Sequence, residues 1–193
     1  GAVVQHMDSL VGVLRKKIEA LPFGKDINLI VTSDHGMTDI SPERVVNIND
    51  YVKPEWCEVI DGRTPTSIFS KPEYRDSICN ALKKAAHIHV WKKEEIPAEL
   101  HYGSSDRIGD IVVAPELGWQ FTDVARDTKG AHGYFPQSPD MQVMFRAIGP
   151  DFKRGYISGG FVNVDIYPLL SHLLQIVPEK TDGRFERIKD ILR

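Results

Sequence analysis

The sequence predicts an α/β fold built in layers, and three observations carry that prediction. Val4, Met7, Leu10, Val11, Leu14, Ile18 and Leu21 recur at helical spacing. A short loop then leads into Ile27-Asn28-Leu29-Ile30-Val31, an apolar run of the kind found in strands covered on both faces. Strand and helix return together near the C-terminus, after a middle stretch of shorter β-prone pieces. Helix, loop and buried strand in succession are the parts of a mostly parallel sheet flanked by helices.

The first helix covers residues 1–21, with Arg15, Lys16, Lys17 and Glu19 on its polar face and Pro22 and Gly24 closing it. Residues 27–33 form the strand. Residues 45–48, 58–60, 67–69, 88–91 and 110–114 then read as short strands, and one helix runs over 74–86, just after Pro72. We read residues 1–193 as a single domain and residues 44–125 as a mixed α+β lobe within it. Residues 142–148 form a strand stopped by Gly149-Pro150. A helix over 164–176 follows, with Asn163 as N-cap, a stripe of Ile166, Leu169, Leu170, Leu173, Leu174 and Val177, and Pro168 early enough to be tolerated. A last short helix covers 184–192.

Hydrophobic residues make up 41% of the chain and charged residues 26%, an ordinary globular composition. The formal net charge of -3 gives no general case for a nucleic-acid polymer or an anionic membrane surface as partner, and neither is expected. No apolar stretch approaches the roughly 20 residues that span a bilayer, and residues 1–21 read as an amphipathic helix rather than a signal peptide. Cys57 and Cys79 lack the spacing of a zinc knuckle or redox motif and read as buried thiols rather than a disulfide.

Chemistry concentrates at Asp34-His35-Gly36, where the apolar strand ends. Adjacent strand residues point to opposite faces, so both reach one ligand only where the backbone turns, as Gly36 permits. Ligands of open α/β sheets bind outside the carboxyl ends of the strands. Alone, the tripeptide reads first as a turn, with Asp34 as a cap and His35 solvated. His132, between Gly130-Ala131 and Gly133, changes the balance: a carboxylate and two imidazoles suit zinc or a similar divalent ion. The other histidines read as bystanders. His87 and His89 flank Ile88 at strand spacing as a surface or edge pair, His172 reads as a part-buried packing residue on the last long helix, His6 faces solvent, and His101-Tyr102 makes a local loop contact first and a substrate contact second. Thr32 and Ser33 read as local hydrogen-bonding groups, and no nucleophile elbow, phosphate-cradling loop or His-Glu-x-x-His motif is present.

Leu29-Ile30-Val31-Thr32-Ser33-Asp34-His35-Gly36-Met37 resembles the (S/T)DHGM segment of the nucleotide pyrophosphatase/phosphodiesterase family, in the alkaline phosphatase superfamily. Gly130-Ala131-His132-Gly133-Tyr134 resembles that family's G-x-HGY, and the likeness continues through Gly149-Pro150-Asp151-Phe152-Lys153, Phe161-Val162-Asn163-Val164 and Tyr167. The stretch from His101-Tyr102 through Arg107-Ile108-Gly109-Asp110-Ile111 to Gly118-Trp119 is similar too, so the resemblance covers essentially the whole chain.

The resemblance implies an alkaline-phosphatase-like sheet and hydrolysis of phosphodiester or pyrophosphate bonds in nucleotide-type substrates. It implies two divalent ions, zinc in the family, with Asp34 and His35 on the ion that activates a threonine nucleophile and His132 on the second. The family's threonine, an aspartate and an Asp-x-x-x-His motif precede the helix that opens this chain; Asp8 does not supply the motif, because position 12 is Gly. The 193 residues are therefore expected to be the C-terminal half of a catalytic domain, inactive alone, with partial or no metal occupancy, and prone to self-association or to pairing with the missing half. Phosphomonoesterase or sulfatase-like chemistry of the same superfamily, or a non-catalytic metal-binding or associating fragment, are the alternatives. The resemblance also favours an extracytoplasmic setting.

Overall fold

The computed structural model describes residues 1–121 and 129–193, which divide into two compact units: residues 1–34 with 144–193, and residues 35–143. In chain order the elements are α1 (Ala2–Glu19), β1 (Leu29–Thr32), β2 (Thr38–Asp39), β3 (Val45–Val46), β4 (Cys57–Gly62), β5 (Thr66–Ser70), α2 (Arg75–Leu82), β6 (Ile88–Lys92), β7 (Ile111–Pro115), β8 (Gln120–Phe121), β9 (Gly130–Ala131), β10 (Phe145–Ile148) and α3 (Ile166–Leu173), joined by loops and 3₁₀ turns. The α/β class holds. The 44–125 stretch lies inside the second unit, with its residues 122–125 outside the described ones.

In the first unit, α1 follows the apolar periodicity and ends with Ala20 N–H on the Lys16 carbonyl and Leu21 N–H on that of Ile18. Lys16 and Lys17 in its last turn suit the negative end of the helix dipole. None of its residues is buried. The strand expected over 27–33 is shorter and less covered. Within this unit β1 pairs antiparallel with β10, Leu29 opposite Ile148 and Thr32 opposite Phe145, where the apolar run suggested parallel neighbours. The pair is half-buried because one face alone packs: Ile30, Phe145 and Ala147 lie on a cluster of Phe152, Leu169, Ile188 and Ile191.

Two C-terminal expectations need correction. The N-cap of α3 is Asp165, after a 3₁₀ turn, and not Asn163. Asp165 is fully buried, and its carboxylate accepts from Arg184 N–H (2.7 Å), Val162 N–H (3.3 Å) and Arg187 Nη1 (3.3 Å), which offsets the cost of burying charge. Residues 184–192 form two 3₁₀ turns rather than an α-helix. Phe185, Ile188 and Ile191 are three apart, so a helix of three residues per turn aligns them on one side better than one of 3.6.

The second unit is built on an antiparallel sheet in the order β4-β5-β7-β6. Strand alternation sends Ile111 and Val113 to one face, where they meet Ile68 and the Ile78, Cys79 and Leu82 side of α2. Val46, Ile48, Val52 and Phe121 complete that core. β3 and β8 form a parallel pair and β2 and β9 an antiparallel one. Helix α2 ends four residues short of the expected 86, and the backbone turns into β6 at His87 in the left-handed region. Both cysteines are free, Cys79 buried and Cys57 half-buried, and burial raises both thiols.

Candidate metal centre

His35 and His132 come together in the second unit. Their rings stack with centroids 3.7 Å apart and planes 14° from parallel. The contact follows from β2 and β9, which begin and end just beside the two histidines and pair Thr38 with Ala131. Two-residue strands carry no readable period, so the sequence did not announce this ladder.

The turn that presents His35 is clamped to residues 140–142. Gly36 N–H donates to the Met141 carbonyl at 3.1 Å, and the buried Thr38 hydroxyl donates to Asp140 Oδ2 at 2.7 Å. A Cβ on Gly36 would overlap the Asp140 carbonyl. Gly36 is thus required by close approach, and its φ is not in the left-handed region that glycine favours. Gly133 has both needs: φ is +95°, and a Cβ there would overlap the Thr64 carbonyl. His132 is held between two such constraints, the β9 ladder before it and the Gly133 turn after it.

The His35 ring is oriented by the backbone of the residue that follows it. Its Nδ1 lies 2.8 Å from the Gly36 carbonyl; a carbonyl only accepts, so Nδ1 is the donor of this contact. Metal-ligating histidines are commonly oriented in this way, the second ring nitrogen bonded to a carbonyl. An imidazole nitrogen offers its lone pair in the plane of the ring, so an ion would be bound near that plane. Two near-parallel rings stacked face to face cannot both meet that condition for one ion. The two imidazoles therefore suit neighbouring ions rather than a shared one. Among the described residues, no three of His, Cys, Asp and Glu gather around one point. Asp34, exposed, ends the first unit, and its carbonyl lies 3.5 Å from the Asn163 amide.

The other five histidines occupy an edge strand, two loops and two helices. His89 sits on edge strand β6, against Trp91 and Phe135. His87 stacks on Trp119 at 3.7 Å and pairs with Glu116 at 2.9 Å. His6 is exposed on α1, and His101 lies in a loop with a left-handed backbone. His172 is exposed rather than part-buried, although its ring stacks on Phe185. Thr32 Oγ1 donates to the Met144 carbonyl at 3.0 Å, so this hydroxyl serves the strand pair. Tyr134, two residues past His132, was read only as part of a motif; it is buried, donates to the Trp119 carbonyl at 2.7 Å, and burial raises its phenol.

Residues 1–135 match the family model described as type I phosphodiesterase / nucleotide pyrophosphatase. The chain is 34% identical over 192 residues to bis(5'-adenosyl)-triphosphatase of Bos taurus, covering 98% of this chain and 42% of that relative. It is 33% identical over 195 residues to ectonucleotide pyrophosphatase/phosphodiesterase family member 5 of Homo sapiens, covering 100% and 41%. The structure of murine ectonucleotide pyrophosphatase / phosphodiesterase 5 superimposes with a TM-score of 0.93 at 34% identity, over 100% of this chain and 52% of that one. An inactive form of the murine protein in complex with AMP gives the same values. The chain thus spans about two-fifths of the curated relatives and half of the solved chains. With a family model over most of its length and relatives on both sides of one-third identity, this chain belongs to the type I phosphodiesterase / nucleotide pyrophosphatase family.

Proposed function

We propose that these residues contribute part of a two-metal centre that hydrolyses phosphodiester or pyrophosphate bonds in nucleotide-type substrates. Asp34 and His35 hold one divalent ion and His132 holds the other, zinc being the ion that fits a carboxylate and two imidazoles. The stacked pair His35–His132 carries the reading, because it brings together two imidazoles suited to adjacent ions. A pair of divalent ions bound there would supply Lewis-acid stabilisation of the charge that develops on a phosphoryl group. The chain's own part is to fix the donors: Gly36 orients the His35 ring, and Thr38 with Asp140 pins the turn behind it. Family membership supports the phosphodiesterase reading over the phosphomonoesterase and sulfatase-like alternatives. Nucleotide substrates are supported by the AMP complex of the murine relative. An extracytoplasmic setting belongs to the same proposal and rests on the family likeness alone.

Zinc titration of the 193-residue chain, by calorimetry, tests the ligands. We expect weak binding that His35→Ala and His132→Ala each reduce by about tenfold or more, equivalent to about 1.4 kcal/mol. His87→Ala and His89→Ala are expected to leave it unchanged. Activity is tested in a chimera joining these residues to the upstream segment of the murine relative, with a nitrophenyl phosphodiester. There Asp34→Ala and His35→Ala should lower kcat more than they raise KM, while added zinc partly restores His132→Ala. Equal losses in the His87 and His89 variants would defeat the assignment.

A further inference from the structure

A cleft of about 630 Å³ in the first unit is lined by residues of α1, β1, β10 and the loop that follows β10. Strand alternation builds its floor. Ile30 and Ala147 face the cluster around Phe152 and Leu169, so Leu29 and Ile148, directly opposite one another, face the other way. Ile18 and Ile27 extend that apolar surface. The volume falls within the roughly 300–1,000 Å³ of sites for small organic molecules.

The rim is cationic. Arg15, Lys25, Lys153, Arg154 and Arg193 line the cleft, and Glu19 is the one acidic side chain among the lining residues. The chain as a whole is net negative, so this is a local excess. Arg15 is paired with Glu19 at 2.7 Å. Lys153 Nζ donates to the Asp190 carbonyl at 2.7 Å and Arg193 Nε to the Phe152 carbonyl at 3.1 Å, neutral acceptors that leave both charges uncompensated. The side chains of Lys25 and Arg154 have no hydrogen-bond or ion-pair partner among the described residues. The loop that carries Lys153 and Arg154 is fixed in place. Asp151 N–H donates to Asn28 Oδ1 at 3.3 Å, the Asn28 amide donates to the Asp151 carboxylate, and Lys153 N–H donates to the Ile191 carbonyl at 2.9 Å.

We propose that this cleft binds a small amphiphilic anion, an organic sulfate, phosphate or carboxylate free in solution. Its apolar body lies on Leu29 and Ile148, and its charged head meets Arg154 and Lys25. Cations around a concave, low-dielectric surface concentrate anions there, and a guanidinium matches an oxyanion with two parallel bonds. A bare inorganic anion leaves the apolar floor wet, and a neutral apolar molecule gains nothing from the rim. Walls from α1 and from the 149–155 loop suit a single enclosed molecule better than a bilayer surface. The cleft adjoins Leu29 at the entry of β1, and Asp34 follows the exit of that strand, about 15 Å further along. Binding here therefore needs no divalent ion, and the proposal stands or falls apart from the metal centre.

Calorimetry of the 193-residue chain with octyl sulfate, in EDTA and at low salt, tests this, with inorganic sulfate and octanol as the head and the tail alone. Octyl sulfate below its micelle concentration should bind one to one, and each half-probe at least about tenfold more weakly, equivalent to about 1.4 kcal/mol. Lys25→Gln with Arg154→Gln removes the unpaired cations, and Ile148→Glu places a negative charge on the floor; each should weaken octyl sulfate by about tenfold or more. Lys84→Gln with Lys180→Gln removes equal charge from exposed residues outside the lining and should leave binding unchanged. Urea midpoints that match the parent separate these effects from unfolding. The chimera with the murine upstream segment should bind octyl sulfate as the 193-residue chain does; loss of binding there would mean that upstream residues fill the cleft, and overturns the proposal. Inorganic sulfate or octanol binding as tightly as octyl sulfate overturns it too, as does an equal loss in the Lys84 and Lys180 variant. Tighter binding to phosphatidylcholine vesicles containing phosphatidic acid, dependent on Lys25 and Arg154, would replace the free anion with a membrane headgroup and also overturn it.

Discussion

Residues 35–143 bury a core of their own, and residues 1–34 with 144–193 bury one only in part. In the former, Ile68, Ile78, Leu82, Ile111 and Val113 are fully enclosed between the four-stranded sheet and α2. In the latter, no residue of α1 is fully buried, and a cleft of about 630 Å³ is lined by residues of α1, β1 and β10. Both units contain amphipathic helices, so periodicity alone does not say which apolar stripe is covered. The helix α2 has a wide sheet to lie on, and the two-stranded pair offers α1 little surface. His35 and His132 belong to the better-packed unit, whereas Asp34 ends the other.

Truncating one side chain in each unit gives the largest contrast. Ile68→Ala removes a fully buried side chain between β4 and β7 and should cost about 2–5 kcal/mol. Leu10→Ala acts on an α1 residue that is 48% exposed, where alanine is also the better helix former, and should stay within about 0.5 kcal/mol. Urea unfolding of the two variants measures both. A cost for Leu10→Ala near that of Ile68→Ala would mean that something covers α1 in solution.

How much could be read beforehand follows the same division. Strands β5, β6 and β7 and helix α2 were visible because each repeats an apolar pattern over several residues. The apolar run at β1 was visible too, but hydrophobicity gives no strand direction, and its partner β10 runs antiparallel. Residues 184–192 misled because apolar spacing of three and four is compatible with two helix types. At the centre, Asp34, His35 and His132 stood out by their residue types and by family likeness. The ring stacking, the Thr38–Asp140 clamp and the overlap that forbids a side chain at Gly36 depend on residues far apart in sequence, with no local pattern to betray them.

A smaller effect, confined to the better-packed unit, comes from Tyr134. Burial raises its phenol above the ordinary value of about 10. The folded state therefore holds the proton more tightly than the unfolded chain. That contribution is fully present below about pH 10 and is lost as pH rises through the folded value. Tyr134→Phe should cost about 0.5–1.5 kcal/mol at neutral pH, for the bond to the Trp119 carbonyl, and flatten the alkaline fall in stability. Urea midpoints across the alkaline range are the measurement, and an unchanged alkaline slope would remove Tyr134 from that role.

The smallest effect is expected on α1, where it probes a helix held mainly by its own backbone. Arg15 Nε lies 2.7 Å from Glu19 Oε1, four residues on, with both side chains 54% exposed. Exposed pairs at this spacing contribute about 0.3–0.5 kcal/mol, and the basic-before-acidic order is the weaker of the two. Glu19 is also the last helical residue, where a negative charge opposes the dipole by about 0.3–1 kcal/mol at low salt. Glu19→Gln removes both effects, so they offset one another, and the net change should lie within about 0.5 kcal/mol of zero. Arg15→Gln removes the pair but keeps the unfavourable charge at Glu19, and should be the more damaging of the two. Helical circular dichroism on heating, at low and high salt, compares them. The gap between the variants should shrink as salt screens both interactions; a gap that persisted would assign Arg15 a packing role through its aliphatic stem instead.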